Sequence, residues 1–213
     1  MKKPATLIVG LLLSTAACIS PGASTVLNAQ ENSMAFDPVV YPETIGGLVT
    51  NLGITEMVTD DWAPFEHPTF IGVGYLQRMG VDPLELEIGF NYNHDVVGGG
   101  SSPEQRLRFF VVDLGLGIAV PLTKSKNNAI EPYAGAGLAF LFARRDEEVG
   151  LDVEHFRDGD QGYYMHAGVR LHVEGGQYIS LDWRWLRDLE VDLGRGLQSA
   201  ESNTLSVGFG YSF

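Results

Sequence analysis

Cysteine is nearly absent. Cys18 is the only one in 213 residues, so no intramolecular disulfide can hold the fold. Basic residues are scarce as well, with 14 Lys and Arg against 27 Asp and Glu and a formal net charge of −13. That balance argues against nucleic acid as a partner, because such binding rests on cationic contacts to phosphate. Long apolar runs are missing too. A membrane helix needs about 20 consecutive apolar residues; Leu7 to Leu13 is too short, and Phe109 to Leu122 is broken by Asp113, Gly115, Gly117 and Pro121. A mean hydropathy of only +0.02 fits faces that alternate better than helices that are greasy all round.

What is present is alternation. The last ten residues place Leu205, Val207, Phe209, Tyr211 and Phe213 on odd positions and Ser206, Gly208, Gly210 and Ser212 on even ones. In a strand these sets point to opposite faces. A strand half-buried in a soluble protein would show long polar groups on its wet face. Here one face is bulky and apolar, suited to lipid, and the other is small, suited to the inside of a narrow barrel.

The N-terminal end supplies an address. Lys2 and Lys3 precede the apolar Leu7 to Leu13, and Ser14 to Ala17 are small, the layout of a secretory signal removed on export. Residues 1–24 are assigned to that signal and 25–43 to a polar leader. Loss of Lys2 and Lys3 takes the charge from −13 to −15. Thr15-Ala16-Ala17-Cys18 partly resembles a bacterial lipobox, with Thr15 where Leu is usual. Cys18 is therefore either an acylated mature N-terminus or a residue discarded with the signal.

Period-2 segments recur through residues 44–213, with turn signals between them. Strands are expected near 45–55, 69–79, 84–92, 106–121, 130–144, 163–174, 177–189 and 204–213, with Gly175-Gly176 as a tight hairpin turn. Connections at 80–83, 123–129 and 175–176 are short. Those near 57–68, 95–105, 146–161 and 192–202 are long, and the acidic stretch Arg145 to Gly162 is expected as a loop. Short turns on one side and long loops on the other, with an even strand count, are the pattern of bacterial outer-membrane barrels.

On these features the chain resembles the small outer-membrane β-barrel family, the eight-stranded OmpA/OmpX/OmpW-type barrels, over most of 44–213. The resemblance implies an all-β fold, an eight-stranded antiparallel up-and-down transmembrane β-barrel in the bacterial outer membrane. It also implies that Tyr211 and Phe213 belong to a C-terminal signal read by the barrel-insertion machinery.

Strand parity turns Arg78, Glu85, Glu87, Asp113, Glu131, His166, Arg170, His172, Glu174, Asp182 and Arg184 inward. Buried charges persist only when paired, so a lumen ion-pair network is expected, centred on Glu85, Glu87, Asp113, Arg170, Asp182 and Arg184, with Arg170 and Arg184 each flanked by carboxylates from neighbouring strands. It either fills the barrel or forms a path for protons or small solutes. His166 and His172 are six residues apart, about 20 Å along a strand, too far to share a metal. No catalytic Ser/His/Asp spacing stands out, and no cofactor or metal is expected.

On the outward parity, Arg106, Arg108, Arg144 and Arg187 sit near the expected extracellular strand ends, where Arg106, Arg108 and Arg144 could grip lipopolysaccharide phosphates or simply snorkel. Outward aromatics, among them Tyr92, Tyr163, Trp183 and Trp185, suit interfacial girdles. Asp158-Gly-Asp160-Gln-Gly162 carries a fragment of calcium-loop spacing without the distal Glu. The expectation is a monomeric, non-catalytic barrel with a structural or surface-interaction role, in contact with outer-membrane lipid and lipopolysaccharide. The alternatives are a narrow channel for small or hydrophobic solutes and a lipid A-modifying enzyme.

Overall fold

The computed structural model describes residues 46–213 apart from 60, 61, 63, 64, 66, 80–82, 100, 101, 123–128, 150 and 151. The expected signal and leader, with Cys18, lie outside the described residues. The strands are β1 (Gly46–Met57), β2 (Thr69–Arg78), β3 (Leu84–Gly99), β4 (Ser102–Ala119), β5 (Ile130–Val149), β6 (Asp152–His172), β7 (Gln177–Arg187), β8 (Glu190–Asp192), β9 (Leu197–Ser199) and β10 (Ser202–Ser212). Eight of them close into a barrel in the order β1-β10-β7-β6-β5-β4-β3-β2, and β8 and β9 form a separate small hairpin.

Closure pairs the first strand with the last, Leu48 facing Tyr211 and Ile54 facing Leu205. A walk around the wall from partner to partner leaves β7 at Arg187 and returns to it at Gln177, ten residues lower. That stagger forces the strands to tilt by roughly 40° and leaves an interior that side chains can fill. No strand edge is left open in the closed part, as hydrocarbon requires.

Polarity across the wall is inverted relative to a soluble barrel. Leu181 and Val207 are 54% and 56% exposed on the outside, while Asp113 and Arg170 are 2% and 4% exposed within. The glycines of the small face have a steric reason. A Cβ at Gly117 would collide with the carboxylate of Glu87, and one at Gly135 with both Glu87 and His166. Among the described residues no helix is long and apolar enough to cross a membrane. The crossing is made by strands.

Two of the four expected long loops, 95–105 and 146–161, are largely strand. Arg145 to Gly162 is the upper part of the β5–β6 hairpin, paired without interruption from Val149–Asp152 down to Ile130–Leu171. Likewise β3 runs on to Gly99 and β4 starts at Ser102, where a loop over 95–105 is expected. Polar residues stand on both faces of this extension, so no apolar period marks it. Asp188, with φ of 59°, accounts for a further departure. Before it the inward residues of β7 are even-numbered, Tyr178 to Leu186; after it Leu189, Val191 and Leu193 are buried. The left-handed residue shifts the parity and folds the β8–β9 hairpin over the barrel mouth.

That hairpin completes an apolar plug. Trp62 and Phe65 from the β1–β2 connection, Leu107, Phe109 and Val111 of β4, Leu141 and Ala143 of β5, and Leu189, Val191 and Leu193 pack together, Trp62 lying edge-on to Phe109 at 5.1 Å.

Candidate functional site: a charged lumen and a cationic row on the wall

The lumen holds two charged layers beneath the plug. In the layer nearer the chain ends, Arg170 on β6 is held by Glu85 at 2.8 Å and Glu131 at 2.9 Å. Arg78 joins from β2, 2.7 Å from Glu131 and 3.6 Å from Glu85, and His172 lies 3.4 Å from Glu131. The Arg170 guanidinium also sits 4.3 Å from the centre of the Tyr133 ring, a favourable desolvated cation–π contact.

His166 organises the second layer. Its two ring nitrogens bond Glu87 at 2.8 Å and Asp182 at 2.9 Å. Tyr164 donates to Glu87 at 3.1 Å, and Tyr133 donates to Asp182 at 2.9 Å. Arg184 pairs with Asp113 of β4 across the barrel, and Asn91 donates to the same carboxylate.

All six residues expected at the network's centre point into the lumen, but their partners differ from simple adjacency. Arg170 takes one carboxylate from the neighbouring β5 and one from β3 across the lumen. Among the described residues Arg184 takes its carboxylate from β4 alone, because Asp182 is turned to His166 and Tyr133. His166 is a central member that strand parity alone does not single out. Among the described side chains five carboxylates face three guanidiniums and two histidines, and each histidine touches a carboxylate. The side chain of Glu174 lies outside the described ones. A cavity of about 80 Å³ remains beside the second layer.

Outside, the apolar wall of β4 and β5 ends at Phe110 and Phe142, and cations follow at once. Arg108 faces Arg144, and Arg144 faces Arg157. Arg144 and Arg108 lie 2.7 and 3.7 Å from Asp146, which also meets His155 at 2.7 Å. Burial works against charge on Asp146, but the hydrogen bonds and charges of Arg144 and His155 outweigh it and hold its carboxyl below the usual carboxylate range.

Arg106, expected in the same group, lines a groove with Arg108 and Arg144 and is itself paired with Glu104. Arg187 spends its guanidinium on the carbonyls of Leu186 and Ser202 at 2.7 and 3.0 Å. Arg157 belongs with Arg108 and Arg144; expecting a loop there hides it. The supposed calcium fragment is also occupied otherwise. Asp158 and Asp160 accept the backbone N–H groups of Asp192 and Glu190 at 2.7 and 2.8 Å, fastening the β8–β9 hairpin to β6.

A closed, tilted eight-stranded wall that is apolar outside and ionised inside defines a barrel built for hydrocarbon. The outer membrane protein beta-barrel domain family matches residues 11–213, and the chain belongs to that family. It is an outer-membrane β-barrel protein. Neisserial surface protein A has a similar fold, at 13% identity and a TM-score of 0.53, over 79% of this chain and 96% of that one. OprG from Pseudomonas aeruginosa matches at 13% identity and a TM-score of 0.53, over 80% and 97%. Ail of Yersinia pestis, in complex with the heparin analogue sucrose octasulfate, matches at 11% identity and a TM-score of 0.52, over 79% and 96%. These identities speak for the fold alone. No curated protein sequence matches the chain.

Proposed function

We propose that this protein is a non-conducting, non-catalytic surface barrel, a pedestal that holds the extensions of β3 to β6 outside the cell for contact with partners. One observation carries the reading: the apolar plug seals the outer half of the lumen with side chains of the strands that continue upward as the exposed sheet. Leu107, Phe109, Leu141 and Ala143 are all buried, so the sheet rises from a packed core rather than from a pore rim. The two ionic layers below block the axis again. Beyond Arg144, β5 continues five residues to Val149, about 17 Å along the strand at ~3.3 Å per residue and about 13 Å in height at that tilt, enough to clear a headgroup layer of roughly 5–7 Å.

The chemistry of the tip favours a basic partner. Glu147, Glu148, Asp152 and Glu154 crowd the hairpin end, the wrong sign for a sulfated sugar of the kind bound to Ail. Charge complementarity of this sort acts mainly through steering and specificity.

Conductance in a planar bilayer tests the reading. The folded barrel is expected to give no unitary steps, whereas stable steps would favour the narrow channel. An altered lipid A mass in overexpressing cells would instead favour the enzyme.

A further inference from the structure

Three arginines stand shoulder to shoulder on the outer wall. Arg108, Arg144 and Arg157 are direct partners across β4, β5 and β6, and His94 continues the row on β3. Directly opposed residues of antiparallel strands sit about 5 Å apart, and like charges there repel. Asp146 offsets this for Arg144 and Arg108 only. Arg157 is exposed and makes no ion pair among the described residues. A fold that lines up cations in this way leaves room for an anion from outside.

The wall beneath them is aromatic. Tyr92, Phe110 and Phe142 form the next outward rank, the last two with ring centres 6.3 Å apart. Gly159 takes the place beside Phe142. The missing side chain opens a groove of about 590 Å³, cationic at its upper end and aromatic below. Asp158 also borders it, but its carboxylate is engaged by the backbone of Gly159 and Asp192.

We infer that this groove seats one phosphorylated lipid of the outer leaflet, with a lipid A phosphate among the three guanidiniums and its adjoining acyl carbons over Phe142 and Gly159. Three features point to that occupant. The row begins where the apolar band ends, which is the level of the phosphates. Guanidinium binds phosphate through paired N–H donors. The groove joins directly to the hydrocarbon-facing wall, so an amphiphile fits it and a free anion would leave the aromatic part empty. The inference needs only the outer-membrane placement and stands apart from the surface-contact role.

Native mass spectrometry of the detergent-solubilised barrel, titrated with bisphosphorylated lipid A, provides the test. Arg108→Gln/Arg144→Gln/Arg157→Gln should weaken binding at least about tenfold, as loss of hydrogen bonds to a charged group implies. Dephosphorylated lipid A should bind the unaltered barrel equally poorly. Arg157→Gln alone should cost about threefold, the scale of an exposed ion pair, and it guards against misfolding of the triple variant because Arg157 has no ion pair to lose among the described residues. Unchanged affinity in these variants overturns the site. So does equal binding of dephosphorylated lipid A, or full displacement by inorganic phosphate at matched concentration. A loss as large from Arg106→Gln would overturn the choice of row.

Discussion

Below and above Phe110, β4 is two different strands. Below, Val112, Leu114, Leu116 and Ile118 face outward while Asp113, Gly115 and Gly117 face the lumen. Above, Arg106 and Arg108 face outward while Leu107 and Phe109 are buried inside. The pleat never changes, yet the polarity of its two faces is exchanged within a few residues. The medium outside sets the sign. Hydrocarbon offers no hydrogen bonds, so charges retreat to the axis and must find partners there. Water above the membrane restores the usual arrangement, and the axis becomes a small hydrophobic core.

The lower half should therefore fail hardest when a partner is removed rather than when a contact is trimmed. Arg170→Met leaves Glu85 and Glu131 to share Arg78, with His172 beside Glu131 as the one further basic group described there. Breaking a buried ion pair costs about 3–5 kcal/mol. Urea unfolding followed by heat-modifiable gel mobility should show a loss of that order, and Arg170→Met/Glu85→Gln should recover part of it. Tolerance of Arg170→Met would mean that the lower lumen is hydrated and that the contrast between halves is smaller than drawn.

The upper half can be tested with two adjacent phenylalanines. Phe109 lies in the plug against Trp62, and Phe110 faces hydrocarbon. Phe109→Ala should cost about 3 kcal/mol through lost burial and an unfilled cavity. Phe110→Ala should cost under about 1 kcal/mol, because lipid fills the space with material as apolar as the ring. Equal losses in the same urea series would show that the exchange of polarity does not govern packing.

How much of this was legible depends on whether a segment meets one medium or two. Residues 204–213 face lipid on one side and the lumen on the other, and their alternation discloses both faces, the strand and the membrane. Residues 152–162 have polar groups on both faces, so their pairing with β5 carries no period and Arg157 passed as part of a loop. Leu189, Val191 and Leu193 do alternate, but Asp188 turns the parity between them and β7, and no pattern announces a positive φ at Asp. Trp62 and Phe65 are isolated apolar residues whose burial depends on strands distant in sequence. In the lumen, parity tells which side chains enter but not which meet. Arg184 reaches Asp113 and His166 reaches Glu87 across the axis, distances that follow from the barrel's stagger and not from any local spacing.

The smallest effect expected lies where the two halves meet, at Asp146. Its carboxyl is held below the ordinary range by Arg144 and His155 against the cost of burial, so the folded state binds its proton less readily than the unfolded chain does. The stabilisation is then present above the unfolded value, about pH 4, and fades as pH falls through the lower folded value. As a partly solvated pair at the membrane surface it contributes on the order of 0.2–1 kcal/mol. NMR titration of the Asp146 carboxyl should give a midpoint below that of a free aspartate, and Arg144→Gln should move it upward. A midpoint that ignores Arg144→Gln would leave the cations of the row uncoupled from their one internal anion.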